Sequence, residues 1–328
     1  MEAWIEVIAL GGTIASTPRP DGNGVVPELT AEDLIAAVPG LKDLAPIRAR
    51  TLARVPSVEI GLADLRDLAG LIRRVEAEGA AGVVVTQGTD TIEETSYALD
   101  LLHDGRIPVV VTGAMRHPSL PGPDGPANLA AAVACAADPA CRDQGVLVVF
   151  DDTIHAAPWV QKRDTTATGA FWSPAPLGWL AEGRPALRCR RPRPPALALI
   201  GDGMPFVPIL KPGLDEPPRL LDAALRAGAA GLVVELSGGG HAAASWAEAL
   251  GEAARRVPVV FASRTRGGRV LTRTYGQPGA EIDLIRRGLV PAGDLDALKA
   301  RLLLAFLVLA GQPHRFAELS LLSWRIEA

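Results

Sequence analysis

Two apolar runs that end abruptly constrain this chain more than any other feature. Residues 5–10, IEVIAL, run into Gly11-Gly12-Thr13. Residues 83–86, VVVT, run into Gln87-Gly88-Thr89-Asp90, with Glu93 and Glu94 close behind. A near-continuous apolar strand belongs in a sheet covered on both faces, which usually means parallel strands between helices. The intervening sequence supplies the helices. Leu62, Leu65, Leu68, Ile72 and Val75 recur at helical spacing, and Gly79 follows as a C-terminal stop. Further helices are expected at 95–102 and at 126–138, the latter opened by a proline, with strands at 107–111 and 145–150. Strand and helix alternate as in an α/β fold, a parallel sheet with helices on both faces.

The alternation breaks near residue 190. The stretch RCRRPRPP (188–195) holds four arginines and three prolines, and prolines continue at Pro205, Pro208, Pro212, Pro217 and Pro218. Proline-rich chain is extended and stiff, and no aromatics are interleaved here, so the stretch reads as a solvated inter-domain connector before a nucleic-acid patch. At 328 residues the chain exceeds one ordinary domain. The expected organisation is an N-terminal α/β domain over 1–189, a connector over 190–212 and a smaller α/β domain over 213–328. In the last, GAAGVVV (79–85) is echoed by GAAGLVV (228–234), and a closing helix is expected near 294–310.

Several function classes are excluded at this level. A net charge of -4 offers no basic footprint for nucleic acid. The longest apolar run, 302–310, is nine residues, against about 20 for a bilayer span, so no membrane partner is expected. The start, MEAWIEVIALGG, lacks the basic-then-apolar pattern of a secretion signal, and a cytoplasmic location is expected. Cys135, Cys141 and Cys189 form no CxxC and imply neither a disulfide framework nor a zinc site. His103, His117, His155 and His314 show no metal-ligand spacing and are expected to be solvated or hydrogen-bonded.

In open parallel sheets ligands bind beyond the carboxyl ends of the strands, where both glycine-threonine stretches fall. Glycine lets the backbone approach a ligand and present N–H groups to an anion or a developing oxyanion. The hydroxyls of Thr13 and Thr89 can attack a carbonyl once a base takes their proton, and Asp90 can orient that base or bind an ammonium group. The local alternative is a capped turn, with Glu93 and Glu94 favoured in a first helical turn. Neither loop has the GxGxxG or GxxxxGK[ST] form. Two such loops on one sheet go beyond capping.

The paired motifs LGGTIAS (10–16) and VVVTQGTDTIEET (83–95) resemble, in order and spacing, the two signatures of the bacterial-type L-asparaginase/glutaminase family. The resemblance extends to VTGAMR (111–116), VLVVFDDTIHAA (146–157), the lysine before RDTT and YGQPGAEIDLIRRGLV (275–290). It implies that Thr13 is the nucleophile on a side-chain amide carbonyl. It implies that Lys162 and Asp90 tune Thr89, which helps to activate the nucleophile or the hydrolytic water. Ser57 then binds the substrate α-carboxylate, Asp90 also the α-ammonium, Gly88 lines the site, and Ala114 lies in the loop facing the amide. Glu281 matches a glutamate that reaches a neighbouring subunit's site, which implies a homo-oligomer, typically a tetramer of two close dimers. No metal or cofactor is implied.

Three positions depart from the family pattern. The flap, residues 16–30, has no tyrosine; the chain's tyrosines are Tyr97 and Tyr275. Its Pro, Gly, Asp and Asn content reads as a mobile lid. Gln87 stands where many members have histidine, and His241 where many have an asparagine that touches substrate. The leading reading is hydrolysis of the L-asparagine side-chain amide through a threonine acyl-enzyme. The alternatives are a glutaminase or other small amino-acid amidohydrolase, or a catalytically silent amino-acid sensor. A tRNA-linked amide role is disfavoured, because such members carry additional N-terminal sequence.

Overall fold

A computed structural model describes residues 3–323. They form two compact units that divide between Ala196 and Leu197. In the first unit, β1 (Ile5–Gly11) leads through a hairpin, β2 (Ser16–Pro18) and β3 (Val25–Pro27), to α1 (Ala31–Ala36), α2 (Leu41–Leu44), β4 (Ile47–Val55) and α3 (Leu62–Ala77). Then come β5 (Gly82–Thr86), α4 (Ile92–Leu102), β6 (Val109–Thr112), α5 (Gly125–Ala137) and β7 (Val146–Phe150). The unit closes with β8 (Thr153–Ala156), β9 (Gln161–Lys162), β10 (Phe171–Trp172), β11 (Gly178–Ala181) and β12 (Arg184–Leu187).

The main sheet runs β12-β11-β8-β7-β6-β5-β1-β4. Strands β4, β1, β5, β6 and β7 pair in parallel. The chain moves from β1 outward to β4, then crosses back over β1 to β5 and on to β6 and β7. The strand order therefore reverses between β1 and β5, the place where an open α/β sheet forms its ligand crevice. The expected parallel sheet is present, and three antiparallel strands extend its far edge. The cause is local. Asp151 and Asp152 between β7 and β8 have φ 49 and 57, and Glu182 and Gly183 between β11 and β12 have φ 52 and 73. Two-residue turns with both φ positive match the twist of a hairpin and send the chain straight back.

Burial explains the unbroken apolar runs. Every residue of β1, β5, β6 and β7 is buried. Each fully buried Val, Leu or Ile contributes about 1.5–3 kcal/mol. Glu6, inside β1, is tolerated because its carboxylate accepts from Trp4 Nε1 (3.0 Å) and Arg50 Nε (3.0 Å). The apolar face of α3, Leu62, Leu65, Leu68, Ile72 and Val75, is buried as its spacing predicts, and Gly79 takes φ 103 beyond its end. The apolar-run criterion misses β4. That strand is an edge whose outward residues include Arg48, Arg50 and Arg54, charges that discourage further strand pairing.

The arginine-proline stretch is less solvated than its composition suggests. Residues 191–200 carry no helix or strand, yet Arg191 is only 2% exposed. Its guanidinium donates to Asp100 Oδ1 (2.6 Å) and Gln144 O (3.3 Å), and Arg193 donates to Gly105 O (2.6 Å). A solvated arginine would leave Asp100, itself 3% exposed on α4, as an uncompensated buried charge.

In the second unit β13 (Ile209–Leu210), α6 (Arg219–Arg226), β14 (Leu232–Leu236), α7 (Ala244–Ala254), β15 (Val259–Ser263), α8 (Glu281–Arg286), β16 (Val290–Pro291), α9 (Ala297–Leu309) and α10 (Phe316–Leu322) follow in turn. The four strands form a parallel sheet in chain order. Its core includes Leu232, Val234, Trp246, Leu250, Phe261 and Leu284. Residues 302–309 of the apolar run fall in α9, where Leu302 to Leu307 are buried. Among the described residues no helix is long and apolar enough to cross a membrane.

Arg191→Met is expected to destabilise the protein by roughly 3–5 kcal/mol, because it strands the Asp100 carboxylate. Pairing it with Asp100→Leu should recover most of that loss. Chemical denaturation followed by circular dichroism reads both.

Candidate active site

Four loops from the carboxyl ends of β4, β1, β5 and β6 meet where the strand order reverses. Thr13 opens a 3-10 turn over Thr13–Ala15 directly after β1. The turn is closed by Ala15 N donating to Gly12 O (3.0 Å) and by the buried Ser16 hydroxyl donating to the same carbonyl (2.8 Å). Gly12 has φ 80, and a Cβ built on it would lie 2.0 Å from Gly88 N. The loops after β1 and β5 therefore touch backbone to backbone, and only glycine permits that approach. Thr89 opens the turn Thr89–Thr91 that leads into α4. Ser57 opens the turn after β4, and its carbonyl accepts from Thr91 Oγ1 (2.9 Å). A Cβ on Gly88 would stand 3.0 Å from Ser57 Oγ, and one on Gly113 would stand 3.3 Å from Thr89 Cγ2. Ala114, the next residue after Gly113, is fully buried.

Lys162 arrives from outside the main sheet, on the two-residue strand β9, which pairs with β10. Its Nζ donates to Thr89 Oγ1 (2.9 Å) and to Asp90 Oδ1 (2.8 Å). An ammonium at this distance favours the deprotonated hydroxyl over the protonated one. Thr89 is 6% exposed, whereas the Asp90 side chain is 69% exposed, so the carboxylate has an open side for a cation. Ser57 Oγ is buried and makes no hydrogen bond among the described residues. Thr13 is half-buried. The structure thus brings Thr13, Ser57, Gly88, Thr89, Asp90, Ala114 and Lys162 into one constellation. A half-buried threonine hydroxyl, a second hydroxyl under a cation, an open carboxylate and glycine-rich loops are the kinds of part acyl transfer draws on.

Other residues that shape the site are not evident from the motifs. Asp124, just before α5, accepts from the N–H groups of Met115 (2.9 Å) and Arg116 (2.9 Å). Asn128 donates to Gly113 O (3.0 Å) and Asp124 Oδ2 (3.2 Å) and accepts from Asp151 N (3.1 Å). Together they set the loop that carries Ala114. The only sequence signal was an Asp-Gly-Pro start to a helix, which reads as ordinary capping. Gln87 lies wholly buried beneath the loop, donating to Gly88 O and Thr95 Oγ1 (both 3.3 Å). The flap is a hydrogen-bonded hairpin, β2 with β3, whose base is fastened by Thr17 Oγ1 donating to Glu28 Oε2 (2.6 Å).

Glu281 lies in the second unit and is fully buried. Its Oε1 accepts from Thr274 N (2.7 Å) and Tyr275 N (2.6 Å), and its Oε2 pairs with His241 Nε2 (3.0 Å). Its carboxylate is thus engaged within its own chain. The His241 ring stands edge-on to Tyr275, centroids 5.1 Å apart. Burial opposes ionisation of Glu281, but the two N–H groups and the imidazole outweigh it and hold the carboxyl below its ordinary value. The proton is therefore bound more weakly in the folded state. The resulting stability is complete above the usual glutamate value of 4.5 and is lost as pH falls through the lowered one. Glu281→Gln is expected to flatten the fall in stability below pH 4.5, read by thermal melts across pH.

Gly12→Ala is expected to cost roughly 3 kcal/mol, since it combines a backbone clash with a positive φ. It should also abolish turnover by parting the two loops. Thermal melts and an activity assay check the two effects.

Comparison with known proteins identifies the family to which this fold belongs. Residues 4–192 match the family model described as "Asparaginase, N-terminal", and residues 207–318 match "Glutaminase/Asparaginase C-terminal domain". A probable L-asparaginase of Deinococcus radiodurans is 36% identical over 321 residues, covering 94% of this chain and 93% of that protein. A glutaminase-asparaginase of Pseudomonas fluorescens biotype A is 31% identical, covering 92% and 85%. The crystal structure of a probable cytoplasmic L-asparaginase from Campylobacter jejuni superposes with a TM-score of 0.85 at 31% identity, covering 98% of this chain and 99% of that one.

Proposed function

The chain belongs to the asparaginase family and is an amidohydrolase, and on that premise we propose that it hydrolyses the side-chain amide of L-asparagine with Thr13 as nucleophile. Thr13 Oγ attacks the amide carbon, and the oxygen of the resulting tetrahedral adduct is met by N–H groups of the glycine loops. Collapse breaks the C–N bond. The threonine proton leaves with the nitrogen as ammonia, and an ester of Thr13 remains. Water then adds to the ester, aspartate departs and Thr13 regains its proton. Lys162 and Asp90 hold Thr89 to promote these proton transfers. Asp90, open on one side, receives the α-ammonium, and Ser57 the α-carboxylate. The observation that carries this reading is the donation of Lys162 Nζ to both Thr89 and Asp90, at 2.9 and 2.8 Å. A sequence separation of more than seventy residues makes that meeting hard to ascribe to local capping.

A glutaminase reading uses the same groups and is favoured by one observation, the likeness to a glutaminase-asparaginase. Two further elements belong to the proposal. A cytoplasmic location is supported by the resemblance to a structure described as cytoplasmic. A homo-oligomer is supported by the surface that Glu281 organises, where Tyr275 is 45% exposed and the His241 side chain 30% exposed. In that assembly the Glu281 region of a neighbouring subunit completes each site, with Glu281 acting through the segment it holds.

Ammonia release from L-asparagine and from L-glutamine, measured side by side with Thr13→Ala, tests the reading. The variant is expected to lose about a thousandfold or more in kcat while keeping its fold. Undiminished turnover by Thr13→Ala would remove the nucleophile assignment. Binding of asparagine without ammonia release by the parent protein would favour the sensor.

A further inference from the structure

Lys162 stands on a short ribbon outside the main sheet. Strand β9 is two residues long and pairs with β10, itself two residues, in the register Lys162 with Phe171 and Gln161 with Trp172. A two-stranded ribbon of this size is not stable alone. It needs a tie to the main sheet. Part of the tie is apolar, Phe171 packing on Phe150 of β7 with ring centroids 4.6 Å apart. A polar part is the side-chain hydrogen bond from His155 in β8. His155 Nδ1 lies 2.7 Å from the hydroxyl of Ser173, which directly follows β10. His155 and Ser173 are each 2% exposed.

The chemistry of this pair follows from its burial. His155 Nε2 is buried with no partner among the described residues. A bare lone pair is less costly to bury than an unpaired N–H, so the ring proton is assigned to Nδ1, which donates to Ser173 Oγ. Burial pushes the imidazole down to about 4, and the ring is neutral at physiological pH. A neutral, single-donor imidazole gives one directed bond.

We infer that His155 and Ser173 are positioning residues for Lys162, fixing the β9–β10 ribbon to the main sheet so that Nζ reaches Thr89 and Asp90. The path is short. Ser173 is anchored to β8, Trp172 precedes it and faces Gln161, and Lys162 is the next residue along the ladder. The inference rests on the role given to Lys162 above.

Steady-state kinetics with L-asparagine on Ser173→Ala, Ser173→Thr, His155→Gln and Lys162→Ala test it. Ser173→Ala is expected to lower kcat about tenfold, with KM within twofold and a melting temperature within a few degrees of the parent. Ser173→Thr, which keeps the hydroxyl, should restore most of kcat. Parental kcat in Ser173→Ala, or equal impairment in Ser173→Thr, overturns the inference. Should Ser173→Ala fail to fold, His155→Gln interrogates the same bond from its other end. Labelling of Lys162 by an amine-directed acylating reagent, followed by peptide mass spectrometry, gives a readout that needs no turnover. Ser173→Ala should raise the labelling rate severalfold while exposed Lys42 is unchanged, and an unchanged Lys162 rate overturns the inference. Failure of the underlying reading looks different, since Lys162→Ala would then keep parental kcat.

Discussion

Backbone contact between Gly12 and Gly88 is the constraint on which the site depends. Parallel pairing of β1 with β5 aligns Ala9 with Thr86, so the two loops leave the sheet side by side at the same height. Whether they then meet is a matter of side-chain volume. Any Cβ at position 12 would stand within 2.0 Å of Gly88 N, and the positive φ at Gly12 disfavours every other residue independently. The contact keeps the loops that carry Thr13 and Thr89 against each other, and Ser57 is drawn in through Gly88 and Thr91.

Around that contact the protein arranges its charges economically. Carboxylates buried away from the crevice are paired, as with Glu6 between Trp4 and Arg50, Asp100 with Arg191, and Glu281 with two N–H groups and His241. Asp90 differs. It is bound to Lys162 on one oxygen and is otherwise exposed. A charge with an open side, beside a hydroxyl held by the same ammonium, is what a zwitterionic substrate would recognise. The enclosed pairs cannot lose one partner without stranding a buried charge, whereas Asp90 keeps an open side.

Much of the frame was legible in the sequence because parallel strands buried on both faces leave unbroken apolar runs. The runs at 5–10 and 83–86 and the helical face of α3 follow directly from that rule. Strand β4 was illegible for the opposite reason, since an edge strand with alternating arginines resembles a charged loop. The antiparallel edge was signalled only by Asp151-Asp152 and Glu182-Gly183, whose meaning depends on φ values that composition does not reveal. The stretch around Arg191 misled because burial of a lone arginine depends on Asp100, ninety-one residues away.

The sequence by itself determined the α/β class, the placement of two glycine-threonine loops at strand ends, and the kinds of group available for amide chemistry. Those are local properties, written in periodicity and residue type. Tertiary structure decided which groups meet. It brought Lys162 from a two-residue ribbon onto Thr89 and Asp90, enclosed Glu281 within its own chain, and gave Asp124 and Asn128 the task of shaping the Ala114 loop. The physical reason is that a hydrogen bond requires about 3 Å and a direction, and neither exists until distant strands have paired.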